Sequence, residues 1–142
     1  LLWRMEEVCG VKTGFTKAAG RCLVSCAEAH GRRFVAVTLS APDDWNDHEA
    51  LYRSVLDRLS EERIVTAGDA AAEVPTVYGG TETVVFSEDL SIWMTPEERE
   101  SVEIRLYLPQ MLYGGLRRGD AAGTAEIWIH GRYVSSVELR YE

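Results

Sequence analysis

The sequence of 142 residues is acidic, because 23 aspartates and glutamates outnumber 15 lysines and arginines and give a formal net charge of −8. A nucleic-acid-binding protein needs a basic patch or stripe, so this charge argues against a nucleic-acid partner. Hydrophobic residues make up 46% of the chain, enough for a packed core, but no run of about 18 apolar residues marks a membrane span.

The first regular pattern is a hairpin followed by a third strand. Two strands are predicted at residues 9–14 and 21–28, on either side of a small-residue turn near Lys17-Ala18, and His30-Gly31 marks the next turn. The run from Phe34 to Leu39 is β-branched and almost wholly apolar, which predicts a central strand buried on both faces. The segment therefore predicts a three-stranded antiparallel meander.

Three cysteines lie in this hairpin. Cys9 and Cys26 would face each other if the chain turns near Lys17-Ala18, whereas Cys22 and Cys26 on one strand would be about 13 Å apart, too far for a disulfide. The alternative, which the sequence favours, is three reduced, buried cysteines that pack as small apolar residues. No Cys-x-x-Cys is present and the three histidines are scattered, so neither a cysteine nucleophile, a zinc site nor any cofactor is expected.

A helix is predicted from Trp45 to about Glu62, capped by Asp43, Asp44 or Asn46. Its apolar side chains form one stripe that should pack on the sheet: Leu51, Tyr52, Val55, Leu56 and Leu59. His48 lies in the first turn, where we expect a surface neighbour of the cap rather than a ligand or a base.

Beyond the small-residue segment 67–73 the pattern changes to a period of two residues. Apolar and polar residues alternate in four segments: 90–94, 102–108, 125–130 and 137–141. Turn signals separate them: Gly79-Gly80, Thr95-Pro96-Glu97, Gly114-Gly115, Gly119-Asp120 and His130-Gly131. Short alternating strands with regular turns predict an antiparallel sandwich or barrel.

Three aromatic residues of this half lie on the polar side of the alternation: Trp93, Tyr107 and Trp128. They would form either a recognition surface for a glycan or a protein, or ordinary cross-strand aromatic packing.

Residues 11–16 (Val-Lys-Thr-Gly-Phe-Thr), 18–24 (Ala-Ala-Gly-Arg-Cys-Leu-Val) and 41–44 (Ala-Pro-Asp-Asp) carry a family resemblance. They resemble the C-terminal part of low-molecular-weight penicillin-binding proteins, the serine-type D-alanyl-D-alanine carboxypeptidases. The resemblance implies an α+β fragment of a transpeptidase-like catalytic domain at residues 1–63, a meander plus one helix. An all-β, sandwich-like domain would follow at residues 64–142, where Leu108-Pro109 and later glycines carry a thinner match.

The Lys-Thr-Gly motif could bind a substrate if it lay on an edge strand beside a cleft. Lys12 supplies a fixed cation and Thr13 a hydroxyl, and together they can hold a substrate carboxylate by charge-assisted hydrogen bonds. Gly14 has no side chain, so a substrate can approach the backbone closely. The resemblance implies that the backbone N–H of Phe15 serves an oxyanion hole. The alternative is a hairpin whose lysine only faces solvent; a P-loop is excluded because the required glycines do not precede Lys12.

Two partner motifs of Lys-Thr-Gly, Ser-x-x-Lys and Ser-x-Asn, occur nowhere in the sequence. In the family both lie upstream, so we expect this chain by itself to lack the nucleophile and to be inactive. The family often places an arginine near the strand-to-helix junction after Lys-Thr-Gly, but residues 45–48 read Trp-Asn-Asp-His, so none is carried over.

The resemblance implies a parent enzyme that trims the terminal D-alanine from peptidoglycan stem peptides and is acylated by penicillins. It would act outside the cytoplasm, in the cell envelope, in association with the membrane. Its expected partners are the stem peptide, β-lactams, the upstream catalytic segment and, through an exposed sheet, a second copy. The alternative is a non-catalytic β-domain that positions the enzyme or binds a cell-wall or protein partner; a β-lactamase is disfavoured because it would not usually carry that domain.

Overall fold

The computed structural model describes residues 1–115 and 117–142, and the chain divides into two compact units, Leu1–Leu59 and Ser60–Glu142. The sequence-based boundary between residues 63 and 64 lies slightly further along the chain. The difference comes from residues 60–63, because the predicted helix runs to about Glu62 whereas these residues belong to a β-strand of the second unit.

The first unit is a meander with one helix: β1 (Val8–Thr16), β2 (Gly20–Ala29), β3 (Arg32–Thr38) and α1 (Asp44–Leu56). The strands are antiparallel in the order β1-β2-β3, which confirms the predicted topology. The prediction that residues 34–39 form a central strand buried on both faces is wrong. In this sheet β2 is central and β3 is an edge, and Val35 and Val37 are 66% and 55% exposed while Ala36 between them is buried.

The helix is shorter than predicted, and its packed face overlaps the predicted stripe only in part. It ends at Leu56, and its buried residues are Asp44, His48 and Tyr52, whereas Leu51 of the predicted stripe is 48% exposed. The face at every fourth position from Asp44 is therefore the packed one, because its polar groups find partners on the sheet. Of the predicted apolar stripe, Tyr52 is buried and Leu56 packs against the same core, but the stripe missed Asp44 and His48.

The second unit is antiparallel β-structure with one short helix. Its elements are β4 (Ser60–Val65), β5 (Ala70–Pro75), β6 (Thr81–Phe86), β7 (Leu90–Met94), α2 (Pro96–Glu100), β8 (Val102–Tyr107), β9 (Ala121–Ile129) and β10 (Arg132–Tyr141). Five strands form one sheet in the order β5-β6-β10-β9-β8, and β4 pairs with β7. This architecture confirms the predicted all-β half, although β4, β5 and β6 were not foreseen as strands.

Period-two alternation correctly located the buried faces of β9 and β10, but not that of β8, where Ile104 and Leu106 are 41% and 38% exposed. The buried residues of the second unit form one cluster: Val65, Val74, Val84, Phe86, Leu112, Ala122, Ala125, Ile127, Val137, Leu139 and Tyr141. The signal at Thr95-Pro96 is not a simple turn, because Thr95 caps α2 and exchanges hydrogen bonds with Glu98 in a capping box. Neither helix within the described residues has the length and hydrophobicity that crossing a bilayer demands.

Candidate functional site

The Lys-Thr-Gly motif lies on β1, at the free edge of the three-stranded sheet. Among the described residues β1 pairs only with β2, so its other side carries backbone groups that no strand covers. Lys12 lies opposite Val24, Thr13 opposite Leu23 and Gly14 opposite Cys22. An extended ligand can therefore approach this strand from its open side.

The side chains of Lys12 and Thr13 leave β1 on opposite faces, as successive residues of a strand do. Both are exposed, and the Lys12 ammonium donates a hydrogen bond to the backbone carbonyl of Thr13 at 2.6 Å. Lys12 forms no ion pair with any residue that the structure describes. One ligand can meet both side chains only at the open edge of the strand.

An arginine lies beside the motif, although the sequence pattern did not predict one there. Arg21 on β2 lies opposite Phe15, and its Nε and Nη2 donate to the two carboxylate oxygens of Asp44 at 3.1 and 2.8 Å. Together with Thr13 and Gly14 they line one open depression. Pairing the two strands about the predicted turn at Lys17-Ala18 places Arg21 close to Phe15, which is the signal in the sequence for this position. The strand-to-helix junction at residues 45–48 carries no arginine.

Arg21 and Asp44 form a two-pronged ion pair that joins β2 to the first residue of α1. Asp44 is 1% exposed, and the Arg21 guanidinium holds the pKa of that carboxyl below its usual range, helped by the backbone N–H of Trp45. The same pair raises the pKa of Arg21. A cation held by a buried carboxylate keeps a defined position, so Arg21 presents its charge to the depression in a fixed orientation.

A buried polar cluster lies beneath this pair. His48 is fully buried, and its Nδ1 and Nε2 lie 2.6 Å from Ser25 Oγ and 3.0 Å from Thr38 Oγ1. The Ser25 hydroxyl also shares a hydrogen bond of 2.7 Å with Tyr52. The expectation of a surface histidine is therefore wrong, because the sheet supplies a hydroxyl to each ring nitrogen. These bonds tie α1 to β2 and β3.

This cluster predicts that the first unit loses stability in mild acid. Burial lowers the pKa of His48 below its ordinary 6.5, and the charges of Asp44 and Asp47 oppose that shift only in part. The unfolded chain then binds a proton that the folded unit resists, so stability is full above about pH 6.5 and falls as the pH drops below it. We expect denaturant titrations from about pH 8 to 5, followed by the amide signals of Leu23 and Ala36, to show this loss.

His48→Gln should flatten the pH dependence, because glutamine keeps hydrogen-bonding groups but does not titrate. His130→Gln, in an exposed turn of the second unit, is the matched control and should leave the curve unchanged. An equal dependence on pH in His48→Gln and in the original chain would contradict the assignment.

Trp128 on β9 packs against side chains of the two neighbouring strands, β8 and β10. The Trp128 ring lies 4.2 Å from the Arg105 guanidinium and meets Tyr133 edge to face, while its Nε1 donates to Glu126 at 3.0 Å. Trp93 lies on β7, in the separate β4–β7 pair. Of the two interpretations, cross-strand packing describes Trp128, because its ring already has an arginine over one face.

Two family models match the sequence. The model described as D-alanyl-D-alanine carboxypeptidase matches residues 1–43. The model described as penicillin-binding protein 5, C-terminal domain, matches residues 60–142, more than half of the chain. A search of curated protein sequences gives no significant match.

Solved structures show the same fold at low sequence identity. Penicillin-binding protein 5 from Haemophilus influenzae aligns over 92% of this chain and 41% of its own, with a TM-score of 0.54 and 21% identity. The D-alanyl-D-alanine carboxypeptidase DacD from Francisella tularensis aligns over 99% of this chain and 36% of its own, with a TM-score of 0.51 and 22% identity.

A peptidoglycan synthesis regulatory factor (PBP3) from Streptococcus pneumoniae aligns over 97% of this chain and 43% of its own, with a TM-score of 0.53 and 21% identity. The chain thus spans 36–43% of the length of these three structures. At this identity the likeness establishes the fold alone.

Proposed function

This chain belongs to the penicillin-binding protein 5 C-terminal-domain family, and we propose that it is part of a serine-type carboxypeptidase. Its first 43 residues support the proposal, because they match the D-alanyl-D-alanine carboxypeptidase family. The observation that carries the proposal is the position of the motif. Lys12, Thr13 and Gly14 lie on a free edge strand, inside the segment that matches the enzyme family.

The proposed substrate is a peptidoglycan stem peptide that ends in D-alanyl-D-alanine. A serine outside this chain attacks the carbonyl of the penultimate residue, the terminal D-alanine leaves, and water then releases the acyl-enzyme. Lys12 and Thr13 hold the terminal carboxylate at the open edge of β1, and the Phe15 N–H stabilises the oxyanion. Penicillins acylate the same serine, and their carboxylate takes the place of the peptide's.

The exposed face of the first unit supports a partner segment within the same enzyme. The side chains on the face of Lys12 include Val24, Val35 and Val37, which are 44%, 66% and 55% exposed. Large apolar side chains gathered on one sheet face favour a covering layer. We assign that layer to the upstream part of the catalytic domain; pairing of two copies is the competing arrangement. The complete enzyme would act in the cell envelope, associated with the membrane.

A second candidate function is a non-catalytic role for the β-domain, which positions the enzyme or binds a cell-wall or protein partner. It is favoured by one observation, the separate core of the second unit, which extends over the residues that match the C-terminal-domain family. A domain with its own core can act as a module without contributing to catalysis.

Labelling with a fluorescent penicillin tests the catalytic proposal. We expect no covalent adduct on this chain alone after denaturation, because its residues contain no Ser-x-x-Lys nucleophile. A longer form that carries the upstream segment should give a labelled band. A band on this chain alone would contradict the assignment of the nucleophile to an upstream serine. An unlabelled longer form containing both Ser-x-x-Lys and Ser-x-Asn would contradict the carboxypeptidase proposal and favour the module.

A further inference from the structure

Cys9 and Cys26 lie together at the base of the hairpin that carries Lys12. The ladder between β1 and β2 shifts between Val8, which lies opposite Ala27, and Gly10, which lies opposite Cys26, so that Cys9 is the extra residue beside the Gly10–Cys26 pair. This is a β-bulge, in which two residues of one strand face one residue of the other. Gly10 has no side chain to separate the two cysteines.

One contact brings the Cys9 thiol to Cys26. Cys9 Sγ donates to the Cys26 carbonyl at 3.5 Å, which places this thiol against the residue that carries the second one. The Cα atoms of opposed residues of antiparallel strands, such as Gly10 and Cys26, are about 4.5–5.5 Å apart. Cys9 adjoins Gly10 in the chain, and its Sγ already lies against the Cys26 backbone. Cys22 differs, because it lies opposite Gly14 and its Sγ contacts the Ala19 carbonyl at 3.8 Å.

The expectation of three buried cysteines is therefore wrong. Cys9 is exposed, while Cys22 and Cys26 are half-buried, and all three are free thiols in this structure. Burial and the neighbouring Cys9 raise the pKa of Cys26. An exposed thiol beside a half-buried one gives the two cysteines different roles, since the exposed sulfur meets an external reagent first.

We propose that Cys9 and Cys26 are a redox-active pair, which an external small-molecule disulfide oxidises to a cross-strand disulfide that fixes β1 to β2. The Cys9 thiolate attacks one sulfur of the reagent, forming a mixed disulfide and releasing one thiol. The Cys26 thiolate then attacks Cys9 Sγ and displaces the second thiol. The protein loses two electrons and two protons, and the reagent is reduced to two thiols.

The disulfide would act on the strand that presents the motif. Cys26 lies opposite Gly10, and the next pair on the same sheet face is Lys12 with Val24. Fixing an edge strand this close to Lys12 limits its freedom to separate from β2. Disulfide formation between Cys9 and Cys26 does not depend on the proposed function. Only the effect of this disulfide on carboxylate binding rests on the proposed function.

Oxidation of the purified chain with oxidised glutathione tests the pair. Trypsin separates Cys9, in peptide 5–12, from Cys22 and Cys26, in peptide 22–32. In Cys22→Ser, the matched control that retains the proposed pair, we expect both thiols to disappear with the loss of two hydrogens, no retained glutathione and a cross-link between the two peptides. Cys26→Ser should instead accumulate glutathione on Cys9.

Two results would overturn the pairing. The first is glutathione retained on both cysteines of Cys22→Ser. The second is as much cross-linked peptide in Cys26→Ser as in Cys22→Ser, which would make Cys22 the partner of Cys9.

Hydrogen exchange tests the effect of the disulfide on β1. Its amides bonded to β2 should exchange more slowly in oxidised Cys22→Ser and recover on reduction. Unchanged exchange would overturn the role of the disulfide in fixing the strand. None of these readouts depends on carboxypeptidase activity, so they fail or succeed separately from the proposed function.

Discussion

Gly123→Ala is expected to destabilise the second unit severely, although glycine within a strand is ordinarily a weak choice. A Cβ at Gly123 would lie 2.1 Å from the Tyr107 carbonyl oxygen and 3.1 Å from Leu108 Cδ2. The first of these atoms belongs to the backbone at the end of β8, so it cannot rotate away. The β8–β9 ladder must therefore shift. Overpacking typically costs about 1–3 kcal/mol, and a clash with backbone places Gly123→Ala at the upper end of that range. A loss of about 3 kcal/mol lowers the melting temperature by roughly 12–24 °C for a unit of this size.

The matched control is Gly10→Ala in the first unit. Its added Cβ would lie 3.8 Å from Cys26 Cβ, an ordinary contact, and the backbone there is not in the left-handed region. Thermal unfolding followed by the amide signals of Ile127 and Leu139 should show a large shift for Gly123→Ala and little for Gly10→Ala. Equal melting temperatures for Gly123→Ala and the original chain would mean that the close approach of the two strands does not exist.

Local patterns in the sequence predicted the elements whose environment they determine. Alternation along residues 125–130 and 137–141 located the buried side of β9 and β10, because one face of each strand packs on the core. The His-Gly pairs at 30–31 and 130–131 predicted tight hairpin turns, and all four residues have positive φ angles. Such signals need no knowledge of distant contacts.

Elements whose burial depends on distant partners were harder to predict. The packed face of α1 holds Asp44, His48 and Tyr52, and it is buried only because Arg21, Ser25 and Thr38 reach it from the sheet. A hydrophobicity pattern cannot detect a polar face of this kind. The apolar run of β3 led to the opposite error, a prediction of burial on both faces. Apolar side chains show what a strand can bury, but they do not show whether another element covers it.

The candidate site was predictable as a motif, while its surroundings required the strand register. Residues 12–14 stand out in the sequence, and the prediction of an edge strand for them is consistent with the sheet order. The register adds that Lys12 and Thr13 start on opposite faces and that Arg21 stands opposite Phe15. The bulge that leaves Cys9 unpaired beside Gly10 and Cys26 also needed the three-dimensional ladder, because an inserted residue leaves no mark in the sequence pattern.

Lys12→Ala is expected to slow acylation by penicillin about 10- to 150-fold in the complete enzyme. Loss of a charged hydrogen-bonding partner costs about 1.5–3 kcal/mol, and each 1.4 kcal/mol is a factor of ten in rate. Lys12 suits the role because, among the residues that the structure describes, its ammonium contacts only a backbone carbonyl and no carboxylate competes for it. Lys12→Arg should lose less, because it keeps the positive charge while changing its geometry.

The other lysine of the sequence, Lys17, supplies the control, because it is exposed in the turn between β1 and β2 and Lys17→Ala removes the same charge from the same hairpin. Acylation rates measured with a fluorescent penicillin should fall in Lys12→Ala and stay near the original value in Lys17→Ala. Both variants should unfold at the original temperature, since neither side chain is buried. An equal loss of rate in both variants would mean that net charge alone causes the effect. An unchanged rate in Lys12→Ala would mean that Lys12 does not bind the carboxylate.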